Sequence, residues 1–138
     1  PYDVRPGPNG TTKCFSGTPW EPMAGYSRAT RAGNRIHVSG TTATLGSRVL
    51  GGTDAAAQTH AVIDKIAGAL QSLGGRLDQV VRTRVFVSNR DHWEPVARAH
   101  GERRPHRPAV GFEERSPAAD FGRAQRPSET GDQRPLQP

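Results

Sequence analysis

Only one cysteine, Cys14, occurs in 138 residues, so no intrachain disulfide can form and no cysteine cluster can hold a metal. No histidine pair shows the His-x-x-x-His spacing of a metal site either. Apolar residues are scarce, at 33% of the chain with a mean hydropathy of −0.72, and no run reaches the 18 or so residues that a membrane-spanning helix needs. Nor is there the apolar core of a secretory leader, and a cytoplasmic, water-soluble protein is the expectation. Acidic residues are outnumbered 13 to 19 by basic ones, giving a formal charge of +6. That excess is spread along the chain without a basic block. Aromatics make up only 6%, and none interleave with basic residues as a nucleic-acid stacking surface would require, so nucleic acid is not an expected partner.

What is present concentrates between residues 13 and 100. Residues 25–40 read as a strand, a turn at Gly33-Asn34, and a second strand ending at Ser39-Gly40. Alternation places Ile36 and Val38 on one face, with Arg35, His37 and Ser39 on the other. A hydroxyl and a glycine at a strand end, next to free backbone N–H groups, form a plausible anion-binding corner. Residues 55–73 predict a helix, capped by Thr53 or Asp54. Its apolar stripe is Val62, Ile63, Ile66, Ala69, Leu70 and Leu73, and Gly74-Gly75 stops it. Gln58, Asp64, Lys65 and Gln71 are expected to face away from that stripe. The β-branched alternation of residues 81–87 is the strongest strand signal, with Val81, Thr83, Val85 and Val87 on one face. A second helix to about Arg103 follows, capped by Asp91, with Trp93, Val96, Ala97 and His100 inward and Pro95 in its first turn.

The remaining segments carry weaker signals. Residues 1–12, rich in Pro, Gly and Asn, read as a flexible lead-in. Residues 13–16 suggest a short edge strand, residues 16–22 a loop, and residues 41–52 a Gly- and Thr-rich connection. From residue 111 to the end the composition is rich in Pro and Arg, with six of the twelve prolines beyond residue 100. That stretch is expected to be either a disordered tail or the product of a reading-frame shift near Arg103. The domain proper is expected over residues 13–110. The order of two strands, helix, strand and helix implies an α+β layer.

Taken together, Gly25-Tyr26-Ser27, Gly33-Asn34, Ile36-His37-Val38-Ser39-Gly40, Gln58-Thr59, the run from Leu73-Gly74-Gly75 to Val85-Phe86-Val87, and Trp93 resemble the Rid/YjgF family of reactive-intermediate deaminases. The resemblance covers about residues 15–103. It implies a chorismate-mutase-like mixed sheet with two helices on one face. It also implies a homotrimer with ligand sites in the clefts between subunits, and no cofactor. Deaminases of this family hydrolyse 2-imino or enamine acids to 2-keto acids and ammonia. An arginine after a Pro-Ala pair holds the substrate carboxylate, and a glutamate in the last strand assists the water.

The chain departs from that pattern at its end. Val110 follows Pro108-Ala109 where the family has arginine. Residues 111–117 do not read as an alternating strand, so the last strands are expected to be missing or altered. Ala97 stands where the family has asparagine. By resemblance, Tyr26 and Arg107 become the candidate catalytic residues, and Ser39 and Gly40 the substrate-binding corner. Glu113 and Glu114 could replace the missing carboxylate, but a solvated pair is the simpler expectation. Two functions follow: a deaminase, impaired to some degree, or a trimeric module binding small carboxylates without turnover. An RNA-directed ribonuclease or translation inhibitor ranks last.

Overall fold

The structure, a computed structural model, describes residues 2–104 and 106–114. Its first ladder is antiparallel, with strands β1 (Asp3–Pro6), β2 (Thr12–Phe15), β3 (Ala29–Ala32) and β4 (Arg35–Val38) in chain order. The turn between β3 and β4 falls at Gly33-Asn34, and Gly33 has φ +61°, a left-handed conformation open to glycine at little cost. A five-residue helix α1 (Trp20–Ala24) sits between β2 and β3. The connection after β4 contains a two-rung hairpin of β5 (Thr44–Leu45) and β6 (Arg48–Val49). Then come helix α2 (Ala55–Ser72), strand β7 (Arg82–Val87), helix α3 (Trp93–Arg103) and strand β8 (Ala109–Glu114), which pairs parallel with β7 from Arg82↔Ala109 to Val87↔Glu114. Parallel and antiparallel pairs and two main helices make this the expected mixed α+β architecture.

Register decides what the antiparallel ladder buries. Cys14 stands opposite Ala29, and Ala29 opposite Val38, so these residues project from one face. Helix α2 covers that face: Cys14, Ala29, Ala69 and Leu73 are buried together, with Tyr2, Ile36 and Val38 packed around them. The helix begins where Asp54 accepts a hydrogen bond from the Ala57 N–H, which satisfies one of its free donors. At its other end Arg31 donates to the Leu73 carbonyl. Helix α3 packs on α2, where the Arg103 guanidinium reaches Asp64 at 2.5 Å. It also meets β7 and β8, through a 2.9 Å contact of His100 Nε2 with Thr83 Oγ1 and an edge-on contact of the His100 ring with Phe112.

Several expectations change. Asp3–Pro6, read as part of a loose lead-in, is a strand, because residues 3–6 pair rung by rung with residues 12–15. The loop over residues 16–22 contains the start of α1, closed by Gly25 at φ +69°. Lys65, expected to face away from the stripe, has a use there that the sequence did not suggest: its ammonium donates to the Thr42 and Thr44 carbonyls and so ties α2 to the connection that holds β5 and β6. Asp91 does not cap the second helix. The helix starts at Trp93, and the preceding turn is capped instead by Asn89, which accepts from the Asp91 N–H. Trp93 is 54% exposed, while Ala99 takes its place among the buried residues of α3. Residues 111–114 do form a strand despite their weak alternation, because β7 offers a complete row of backbone partners. Residues 115–138, the rest of the tail, lie outside the described residues.

Candidate functional site

The face of the ladder turned away from α2 is polar. Alternation puts Lys13 and Phe15 of β2 on it, with Thr30 of β3 directly opposite Lys13. Helix α1 and the segment leading into β3 fold over the same face. Together they enclose an open cleft of about 480 Å³, lined by Lys13, Phe15, Glu21, Pro22, Gly25, Tyr26, Ser27, Thr30 and Ser39.

Hydroxyl groups are organised along its floor. Lys13 Nζ donates to Thr30 Oγ1 at 3.1 Å, and Thr30 Oγ1 lies 2.9 Å from Ser27 Oγ. An ammonium can only donate, so it occupies one lone pair on Thr30, and in the contact between the two hydroxyls either Thr30 or Ser27 can be the donor. Ser39 Oγ donates to the Ser27 carbonyl at 2.7 Å. With its own proton so committed, the Ser39 oxygen faces a ligand as an acceptor.

Two buried charges frame this floor. Glu21 is 2% exposed, and its carboxylate accepts from Ser16 N–H, Ser16 Oγ and Gly17 N–H, which fixes the loop before α1. Arg28 is 4% exposed; it donates to the Gly40 carbonyl, and its guanidinium carbon lies 5.6 Å from the centre of the Tyr26 ring. Arg28 therefore holds both the Ser39-Gly40 corner and Tyr26 in place. Burial pushes the Lys65 ammonium below the usual lysine range, with the Arg28 charge adding to that effect. Burial likewise raises the Tyr2 phenol above its usual value, and the Arg28 charge partly opposes that.

Of the residues expected from sequence, Tyr26 and Ser39 meet in this cleft, and Gly40 adjoins it through Arg28. Arg107 does not line it. It is exposed in the turn between α3 and β8, at φ +55°. Glu113 and Glu114 are engaged by Arg84 at 2.7 Å and Arg90 at 3.4 Å. Val110 is 42% exposed on β8. Lys13, Glu21 and Thr30 escaped the sequence reading. For Lys13 a signal existed: only two of the 19 basic residues are lysines, and Lys13 alternates with Cys14 in a short strand. Among the described residues, no three His, Cys, Asp or Glu side chains gather as a metal site, and no helix is long and apolar enough to cross a membrane.

The profile of the family described as Endoribonuclease L-PSP matches residues 17–119. An uncharacterized protein of Streptomyces coelicolor, SCO2049, is 38% identical over 87 residues, which is 63% of this chain and 65% of that protein. The chain thus spans slightly under two thirds of that relative's length. Among solved structures, Rv2704 of Mycobacterium tuberculosis, a member of the YjgF/YER057c/UK114 family, is 36% identical. The match has a TM-score of 0.70 and covers 77% of this chain and 85% of the other. A protein of unknown function from Pseudomonas aeruginosa, PA3499, is 26% identical, with a TM-score of 0.66 over 84% of this chain and 82% of its own.

Proposed function

We propose, for a chain that belongs to the Endoribonuclease L-PSP family with its YjgF/YER057c/UK114 members, that the cleft of Tyr26, Ser27, Thr30 and Ser39 binds small 2-imino or enamine acids and hydrolyses them to 2-keto acids and ammonia. The observation that carries this reading is the meeting of Tyr26 and Ser39, at the two ends of the β3–β4 hairpin, in one cleft of metabolite size whose floor carries hydroxyl groups. The reaction asks little of the protein. Water adds to the imine carbon, forming a C–O bond while the C=N electron pair takes up a proton at nitrogen. The carbinolamine's hydroxyl proton then passes to the amino nitrogen, and ammonia departs with the C–N electron pair as the C=O bond of the keto acid forms. Positioning the water and substrate supplies most of what this needs. Ser39, limited to accepting, suits an imine N–H or the incoming water. Tyr26 can donate to either oxygen of the substrate. The family's intersubunit sites lead us to place the complete pocket in a homotrimer.

A specific observation supports a second reading, binding without turnover. Glu21, the one carboxylate lining the cleft among the described residues, already accepts from three protein donors that hold the loop before α1, and is thereby occupied in structure and not free to orient a water. Ammonia release from freshly generated 2-iminopropanoate separates the two readings. A deaminase releases ammonia, and Tyr26→Phe or Ser39→Ala lowers the rate by about tenfold or more. A binding module takes up pyruvate with no ammonia released above the uncatalysed rate.

A further inference from the structure

We infer that Lys13 is the cation that selects a carboxylate in this cleft, in the place that sequence reasoning gave to Arg107; the inference rests on the cleft being the ligand site. Three observations converge on it. First, among the described residues the other cations near the cleft point elsewhere. Arg28 is buried, is not part of the cleft lining and donates to the Gly40 carbonyl, its Nε having no partner, while Lys65 donates to the carbonyls of Thr42 and Thr44. Arg5, directly opposite Lys13 in the ladder, is paired with Asp3 at 2.5 Å and lies over the Phe15 ring. Second, Lys13 lines the cleft, and its ammonium has a hydroxyl partner, Thr30, but no paired carboxylate among the described residues. Two of its three protons are therefore open to an anion. The contact with Thr30 orients the amine toward the hydroxyls without neutralising it.

Third, the backbone makes room for this lysine. Gly7, in the connection from β1 to β2, has an ordinary extended conformation (φ −112°), so its φ does not demand glycine. A Cβ there would instead lie 2.9 Å from Lys13 Cε and 2.5 Å from Thr11 Oγ1. The absent side chain leaves the lysine stem the space it occupies. Strand β2 is thus a wall of the site, and among the described residues it supplies the cation of the cleft lining. A carboxylate seated between Lys13 Nζ and the hydroxyls of Ser27 and Thr30 would receive one charge-assisted hydrogen bond and at least one neutral bond.

Calorimetric titration of the full chain with pyruvate and with its neutral isostere pyruvamide tests this. The wild type should prefer pyruvate. Lys13→Met should weaken pyruvate by about tenfold while pyruvamide stays within about twofold, and Lys13→Arg should keep most of the preference. Raising the salt concentration should erode pyruvate binding in the wild type and not in Lys13→Met. Gly7→Ala, which displaces the stem and keeps the charge, should weaken pyruvate severalfold. Lys13→Gln, still able to reach Thr30, stands in if Lys13→Met loses its circular-dichroism signature. Unchanged pyruvate affinity in the charge-removing variant, while Tyr26→Ala weakens it, overturns the assignment to Lys13 and leaves the cleft reading intact. A changed oligomeric state with unchanged affinity also overturns it, by making Lys13 a contact between copies. Failure of the wild type to bind either compound overturns both the assignment and the cleft reading.

Discussion

At the scale of single residues, the buried polar groups say most about how the chain spends its stability. His100 is 8% exposed, between Thr83 of β7 and the Phe112 ring of β8. Burial is the main reason its imidazole is held below the ordinary value of 6.5, and the Arg104 and His106 charges push the same way. The folded protein thus binds this proton less readily than the unfolded chain does. As pH falls through about 6.5 the unfolded state takes up the proton first, and stability declines until the folded-state value is also passed. His100→Gln, which can keep a polar contact to Thr83 without titrating, should flatten that decline. Urea unfolding at pH 7.5, 6 and 5 measures it, and an equal slope in wild type and variant would refute the assignment. Tyr26 and Ser39 were legible at this scale because a strand-end motif with fixed spacing marks them. Lys13 left only the faint signal of a rare lysine in a short strand, and Glu21 none, because their importance lies in what they face in the fold, and one-dimensional spacing carries little record of that.

At the scale of elements, helix α2 shows how a local rule yields to packing. Gly68 lies in its interior, where glycine costs about 1 kcal/mol relative to alanine. A Cβ at Gly68 would come within 2.7 Å of the Tyr2 ring, whose hydroxyl donates to the Lys65 carbonyl at 2.8 Å. The glycine is the seat on which the N-terminal segment docks. Gly68→Ala alone should therefore bring no gain in thermal stability. In a Tyr2→Ala background the same change should raise stability by about 1 kcal/mol. A gain of equal size in both backgrounds would show that the Tyr2 contact is not what retains the glycine. This also explains an error of sequence reading. The first dozen residues have turn-rich composition and little apolar content, yet they form a strand because β2 offers them a partner and α2 offers Tyr2 a place. Helix α2 itself, with its stripe and Asp54 cap, was readable because its periodicity and capping are local. The strand β8 was not, since its order comes from pairing with β7 and not from its own alternation.

For the whole molecule, the surface left by this single chain is telling. Val81, Phe86, Val110 and Phe112, all on or beside the pair of β7 and β8, are 81%, 46%, 42% and 42% exposed. By the strand register Phe86 lies on the face opposite Val81, Val110 and Phe112, beside the Arg84 guanidinium, and an apolar ring left exposed on the face turned away from α3 is the kind of surface that copies of a chain cover. We expect light scattering coupled to size exclusion to give the mass of three chains, and Phe86→Arg to shift the population toward smaller species. A wild-type monomer at micromolar concentration would contradict this and, with it, the placing of the complete pocket between subunits.

Sequence alone determined the hairpin about Gly33-Asn34, the long amphipathic helix, the strand expected over residues 81–87 and the family, because each is written in short-range periodicity, turn chemistry or motif spacing. Tertiary structure alone decided that Lys13, Thr30, Ser27 and Ser39 share one cleft, that Glu21 is held by three protein donors, and that Arg107 lies apart from that cleft. Those facts depend on strand register and on which face of the sheet α2 occupies, and register is a relation between segments that no segment contains by itself.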